Sequence, residues 1–263
     1  VIGGIFRNLR TIPVMQDFAK DIKEVCPNAW FLNYTNPMAV LTNIMLKEGI
    51  KTVGLCHSVQ VCASDLLESL ELPTDRIHSK IAGINHMAWL LEITRDGKDL
   101  YPEIKARAKE KQKTIHNDMV RFELLNKFGY YVTESSEHNA EYHPYFIKSQ
   151  YPELIEKYNI PLDEYPRRCI YQIQGWEKEK ENILNNGKIT HKRSSEYASY
   201  IMEAIVTNKP CKIGGNVLNT GLIENLPSEA CVEVPCLVDA MGITPCHVGK
   251  LPPQLAAMNM TNI

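Results

Sequence analysis

The chain has 263 residues, of which 44% are hydrophobic and 23% are charged; these proportions are typical of a globular protein with a sizeable core. A formal net charge of -2 excludes the strongly basic surface that nucleic acids and anionic membranes select. We find neither a signal peptide nor an apolar run near the ~20 residues of a membrane-spanning helix. The eight cysteines are dispersed without a Cys-x-x-Cys pair. We therefore expect reduced thiols, a cytoplasmic location and no nucleic-acid or membrane partner.

The first part of the chain alternates between helical and strand patterns. Apolar residues recur at helical spacing before Pro27, and two short apolar runs, each followed by a helical segment, come after it. Strand and helix in this order are typical of a βαβ unit in a parallel, doubly wound sheet. The predicted helices are residues 11–25, 38–47 and 59–70, and the predicted strands are residues 29–34 and 51–55.

After Pro73 the pattern changes to an α+β order, with a boundary near residues 72–77. A hairpin-type turn is predicted at Arg95-Asp96-Gly97-Lys98, because Asp-Gly favours tight turns. The predicted strands are residues 80–85, 87–94, 212–222 and 231–239, and the helical segments are residues 117–128, 151–185 and 195–207.

Polar residues follow three of the predicted strands. Asn36 follows the first, Cys56 and His57 end the second, and Asn85 and His86 end the third. Ligands of open α/β sheets bind beyond the carboxyl ends of strands, so these residues could share one site. Cys and His are ligands of divalent transition metals. The same residues are also typical of a buried thiol and a hydrogen-bonded histidine, and both interpretations stay open at this point.

A second polar segment, residues 133–138, concentrates titratable side chains. A catalytic base flanked by orienting partners could come from it. The alternative is a polar loop with a helix N-cap at Ser135 or Ser136. From the residues alone, the chain is an α/β protein with a strand-end site and a candidate metal site.

In these same stretches the sequence resembles glycoside hydrolase family 4, and within it the α-galactosidases most closely. The matches run in the family's order along nearly the whole chain. They are residues 32–39, 53–60, 82–88, 131–138, 140–142, 161–166, 224–227 and 232–239.

The resemblance implies an unusual hydrolytic chemistry, one that departs from the two-carboxylate scheme of most glycosidases. In that family NAD+ transiently oxidises the sugar's C3 hydroxyl, a base removes the C2 proton, and the group on C1 is eliminated. Water then adds and the hydride returns. A divalent cation, usually Mn2+, binds the C2 and C3 oxygens as a Lewis acid. The implied cofactors are NAD and Mn2+, and the implied partner is a small sugar substrate, an α-galactoside.

By position, the resemblance assigns roles to the strand-end residues. Cys56 and His86 are the implied metal ligands, and His57 is the acid that protonates the leaving oxygen. Asn36 is the implied contact to substrate hydroxyls, and Asn85 is a further substrate-binding candidate.

The implied base lies in residues 133–138. We assign it to Glu134, with Glu137 and Tyr142 as alternatives. Members that act on phosphorylated sugars have Asp or Asn after the cysteine, so His57 in that position favours unphosphorylated galactosides. The alternatives are an α-glucuronidase or α-galacturonidase of the same family, an NAD-dependent 2-hydroxyacid dehydrogenase, and a non-catalytic binding protein.

The chain departs from the family at both ends. Family members begin with a strand, a Gly-rich turn and a helix that hold the NAD pyrophosphate, and this sequence shows no such pattern. We therefore predict a partial NAD-binding domain at residues 1–76, the C-terminal part of a Rossmann-like parallel sheet. An α+β catalytic domain without its C-terminal helices follows at residues 77–263. We expect an exposed sheet edge and poor NAD binding by this chain alone, with its cofactor-binding residues unassigned. The resemblance also implies a homodimer or homotetramer.

Overall fold

The computed structural model describes residues 2–186, 194 and 196–263. Its strands form one nine-stranded sheet within these residues. They are β1 (Phe31–Asn33), β2 (Thr52–Gly54), β3 (Ile77–Ile84), β4 (Met87–Arg95), β5 (Lys98–Asp99), β6 (Tyr131–Val132), β7 (Cys211–Leu218), β8 (Cys231–Asp239) and β9 (Gly242–Pro245).

The sheet runs in the order β1-β2-β7-β8-β3-β4-β5, with β6 beside β4 and β9 beside β8. β1 and β2 pair in parallel, as the βαβ pattern predicts. Every other strand pair in the described residues is antiparallel. The α/β fold class is therefore confirmed, and the parallel part is followed directly by an antiparallel part. The division into residues 1–76 and 77–263 stays a prediction, because a single sheet joins the two.

Helices connect and flank the strands in the described residues. They are α1 (Ile2–Val25), α2 (Met38–Lys47), α3 (His57–Ser69), α4 (Tyr101–Lys111), α5 (Met119–Phe128), α6 (Ser136–Tyr142), α7 (Glu153–Lys157), α8 (Glu164–Asn186), α9 (Ala198–Thr207) and α10 (Pro253–Met260). Within the described chain, no helix is both long and apolar enough to cross a bilayer.

Two helix predictions are wrong in extent. α1 begins at Ile2 rather than at residue 11, because the apolar spacing of Ile5 and Leu9 continues the helical face toward the N-terminus. The segment 151–185 is not one helix but α7 and α8. Two residues separate them. Pro161 lacks the backbone N–H that an α-helix needs, and Asp163 has a left-handed backbone (φ 56) that does not continue one. The predicted start of the next helix, Ser195, lies outside the described residues.

The core beside the parallel strands fixes the beginning of α3. Leu66 and Leu67 of this helix are completely buried and belong to one apolar cluster with Leu90 and Tyr131. Burying such side chains stabilises the fold by roughly 1.5–3 kcal/mol each. The first turn of α3 therefore has a fixed position directly after β2.

Candidate functional site

Five of the predicted site residues line one cleft of about 480 Å³. Asn36 follows β1, Cys56 and His57 follow β2, His86 lies in the β3–β4 turn, and Glu134 follows β6. Residues after three separate strands therefore meet at one cleft, together with Glu134 from the second polar segment.

Three donor atoms converge in this cleft. The sulfur of Cys56, a ring nitrogen of His86 and a carboxylate oxygen of Glu134 all lie within 4.8 Å of one another. The carboxylate oxygen Oε2 of Glu134 is 3.3 Å from Nε2 of His86. Sulfur, nitrogen and oxygen donors on one side of an open cleft suit a divalent transition metal that keeps positions for substrate. These residues fit the cation that the resemblance implies.

Two of the three donors sit on unusual backbone conformations. His86 has φ 65 and Glu134 has φ 66, in the left-handed region that side chains other than glycine rarely adopt. His86 occupies the tight turn in which Ile84 pairs with Met87. Strained residues of this kind persist where the surrounding structure holds them, often at functional sites.

Of the two interpretations of residues 133–138, the helix N-cap is present, and the catalytic base stays a prediction. Ser135 is the N-cap of α6, and its hydroxyl accepts a hydrogen bond from the backbone N–H of His138 at 3.3 Å. The helix cap therefore exists, and it fixes the residue before it, Glu134, at the rim of the cleft.

A hydrogen bond at its other ring nitrogen, Nδ1, orients the imidazole of His86. Nδ1 lies 3.0 Å from the hydroxyl of Tyr142, and the two rings stack at 6.1 Å. With Nδ1–H donating to this hydroxyl, the lone pair of Nε2 faces Glu134, the arrangement usual for metal-binding histidines. Burial lowers the pKa of His86, which favours the neutral ring. Burial also raises the pKa of the Cys56 thiol to about 12.

His57 begins α3 with a half-exposed side chain. Its Nε2–H donates to the carboxylate of Glu196, and this hydrogen bond lowers the pKa of Glu196. The ring of Tyr34 lies 5.7 Å from the imidazole. Sequence analysis missed Glu196, since 139 residues separate it from His57 and no motif surrounds it.

Asn85 does not line the cleft. Its side-chain amide instead donates to Oε1 of Glu233 at 3.4 Å. Glu233 is completely buried in β8, and burial raises its pKa to about 7. Sequence analysis placed Glu233 within a matching stretch without giving it a role. The substrate-binding role of Asn85 stays a prediction.

The three candidates for the base occupy different places. Glu134 lines the cleft, and Tyr142 lies against His86. Glu137 lines a neighbouring depression, with its carboxylate 3.8 Å from the guanidinium of Arg168. The assignment of the base stays a prediction, and this geometry brings only Glu134 of the three to the wall of the cleft.

Comparison with known proteins shows two matching family models. The model described as family 4 glycosyl hydrolase matches residues 1–72, and the model described as family 4 glycosyl hydrolase C-terminal domain matches residues 81–263. Together they leave only a short stretch around the predicted boundary unmatched.

Two curated proteins and one solved structure illustrate the similarity. An alpha-galactosidase of Bacillus subtilis (strain 168) is 69% identical, over 100% of this chain and 61% of its own length. An alpha-galactosidase of Rhizobium meliloti (strain 1021) is 34% identical, over 99% of this chain and 56% of its own length. The fold matches a 6-phospho-alpha-glucosidase from gut microorganisms in complex with NAD and Mn2+, with a TM-score of 0.73 and 20% identity over 98% of this chain and 62% of that one. The chain thus spans about three fifths of its relatives' length.

Proposed function

The chain belongs to the family 4 glycosyl hydrolases, and on this premise we propose that it forms the sugar- and metal-binding part of an NAD- and Mn2+-dependent α-galactosidase. The observation that carries the proposal is the convergence of Cys56, His86 and Glu134 in the cleft. The 69% identity to an alpha-galactosidase supports the choice of sugar.

Cys56, His86 and Glu134 would hold the cation. When bound, the cation would supply Lewis-acid polarisation of sugar oxygens, and NAD would supply hydride chemistry. We assign no residue of this chain to NAD. Asn36 lines the same cleft as the donors, so it would bind hydroxyls of a sugar held there.

His57 would donate the proton that the leaving oxygen requires. Glu196 accepts a hydrogen bond from Nε2, so the carboxylate would orient the imidazole and leave Nδ1 for proton transfer to the substrate. Tyr34, 5.7 Å away between ring centres, limits the positions that the imidazole can adopt.

We propose Glu134 as the base for the C2 proton, because it is the candidate that lines the cleft. This role is compatible with a place in the donor set, since a carboxylate has two oxygens. Its Oε2 lies 3.3 Å from Nε2 of His86, so Oε1 would be the oxygen that accepts the proton. Tyr142 would act on His86 instead, by fixing the direction of its ring.

The test is hydrolysis of p-nitrophenyl α-galactoside by a chimera in which this chain replaces the 263 matching residues of the Bacillus subtilis alpha-galactosidase. We expect hydrolysis that requires NAD+, Mn2+ and a thiol reductant together. Activity that persists in EDTA or without NAD+ would rule out the mechanism. Hydrolysis of an α-galacturonide in place of the galactoside would identify the family's uronidase alternative instead.

A further inference from the structure

Glu233 is a buried carboxylate behind the proposed cation site. Its residue is 0% exposed, and no other Asp or Glu among the described residues is buried. In the sheet it lies opposite Asn216 of β7 on one side and Gly83 of β3 on the other. It therefore lies in the centre of the sheet, close to the turn that carries His86.

Among the described residues, the carboxylate has amide partners but no cationic one. Its Oε1 accepts hydrogen bonds from Nδ2 of Asn216 at 2.9 Å and from Nδ2 of Asn85 at 3.4 Å. Its Oε2 finds no hydrogen-bond partner in the described part of the chain. Ionising a buried carboxylate without a compensating positive charge is costly, so a cation bound nearby would stabilise the ionised form.

Asn85 links this carboxylate to the donor cluster. It directly precedes His86 in the β3–β4 turn, and its Nδ2 is the atom that reaches Glu233. The hydrogen bonds therefore run from Asn216 to Glu233 and on to Asn85, the residue next to the donor His86.

We propose that Glu233 is a positioning residue of the cation site, an inference that rests on the proposed function. The carboxylate holds Asn85, and Asn85 in turn fixes the turn that carries His86. Glu233 also interacts electrostatically with Cys56 and Glu134, so a divalent cation held by those donors would be attracted to the ionised carboxylate. Hydrogen-bonding partners of metal ligands typically contribute about 10–100-fold to metal affinity.

The experiment measures Mn2+ binding to the 263-residue chain from the electron paramagnetic resonance signal of free Mn2+. Glu233→Gln keeps the size of the side chain and its Oε1 acceptor but removes the charge. Glu92→Gln is the matched control, because this carboxylate is exposed on β4, which does not adjoin β8 in the sheet, and is paired with Lys80 at 3.4 Å. We expect about 10–100-fold weaker binding for Glu233→Gln and unchanged binding for Glu92→Gln.

Urea unfolding of each variant without Mn2+ separates positioning from folding. Because Oε2 of Glu233 has no partner to lose among the described residues, we expect Glu233→Gln to be no less stable than the unmodified chain. Affinity equal to that of the unmodified chain, or a loss fully explained by unfolding, would overturn the inference. If Glu233→Gln does not fold, Asn85→Ala removes the same hydrogen bond from its partly exposed partner, and Mn2+ binding is measured on that variant. If the unmodified chain itself does not bind Mn2+, the proposed function fails instead.

Discussion

At the residue scale, the cleft depends on how charged side chains are held toward it. The histidine and the carboxylate of the donor cluster both occupy left-handed backbone positions (φ 65 and 66), and the ring of His86 is fixed by Tyr142. His57 is oriented from outside the cleft by Glu196. When reactive groups are fixed in position before the substrate binds, less entropy is lost in reaching the reactive geometry.

The first prediction concerns the partner of the proposed acid. In the chimera, Glu196→Gln removes the charged acceptor that orients the ring of His57, so we expect kcat for an α-galactoside with a sugar leaving group to fall by about 10–100-fold. A p-nitrophenolate leaving group needs little protonation, so its hydrolysis should change much less. Steady-state kinetics on both substrates provides the measurement, and equal losses would contradict the assigned role of His57.

The second prediction concerns pH and His143. This histidine is buried and stacks on Trp89 at 6.5 Å between ring centres, and burial lowers its pKa from 6.5 to about 4. Between these values the unfolded chain binds a proton that the folded chain excludes, so the free energy of unfolding falls as the pH is lowered.

The variant His143→Phe keeps the ring and removes this titration. Relative to the variant, the unmodified chain should lose up to about 1.4 kcal/mol per pH unit between pH 6.5 and about 4. Urea unfolding at a series of pH values provides the comparison. Parallel profiles of the two proteins would show that His143 is protonated equally in the folded and unfolded chains.

Some of these residues could be identified from the sequence, and others only from the structure. Cys56 and His86 follow strands, and strand ends are where α/β sheets bind ligands, so pattern and resemblance both pointed to them. Glu134 was predicted as a base, whereas its place in a donor cluster needed coordinates. The contacts of Glu196 and Glu233 join residues 139 and 148 positions apart, and no local pattern encodes such pairs.

At the element scale, the position of α3 controls the site because Cys56 is its N-cap and His57 is its first residue, just after β2. The helix packs unusually close to β7. A Cβ atom built on Gly214 would lie 2.6 Å from Cγ2 of Val59, closer than carbon atoms can approach. Only glycine in this position of β7 leaves α3 where it is.

The third prediction compares two glycines. Gly214→Ala pushes α3 away from the sheet, so we expect a loss of about 1–3 kcal/mol in the free energy of unfolding. Gly175→Ala is the matched control in the exposed helix α8, where an added Cβ meets nothing within 4 Å. It should stabilise the protein by about 0.5–1 kcal/mol. Urea denaturation measures both, and equal effects would contradict the close packing of α3.

Elements with strong periodicity were predictable, and elements with weak patterns were not. β8 was predicted with the bounds it has, because its apolar residues form a nearly continuous run. α4, β9 and α10 were missed. α4 is polar apart from three buried residues, β9 has only four residues, and short or polar segments resemble loops in the sequence.

At the scale of the whole molecule, one sheet connects the two predicted domains. β2 pairs with β7, and the cluster that contains Leu66 of α3 also contains Leu90 of β4. The sequence does not reveal tertiary contacts across the predicted boundary. It shows only that the pattern of elements changes near residues 72–77. The homodimer or homotetramer that the resemblance implies stays a prediction.

The fourth prediction is that the chain unfolds as a unit. Because sheet and core cross the predicted boundary, Trp89 fluorescence and far-ultraviolet circular dichroism should follow one urea transition with the same midpoint. For the fluorescence, the other tryptophans are replaced by phenylalanine. Two separated transitions would show instead that residues 1–76 and 77–263 fold independently.

The most direct test of the central claim is a calorimetric titration of the chain with Mn2+, comparing Cys56→Ser with Cys62→Ala. Both cysteines are buried and line the cleft, but only Cys56 belongs to the donor cluster. We expect Cys56→Ser to weaken binding by more than about tenfold and Cys62→Ala to bind like the unmodified chain. Equal affinity of Cys56→Ser and the unmodified chain would contradict the central claim.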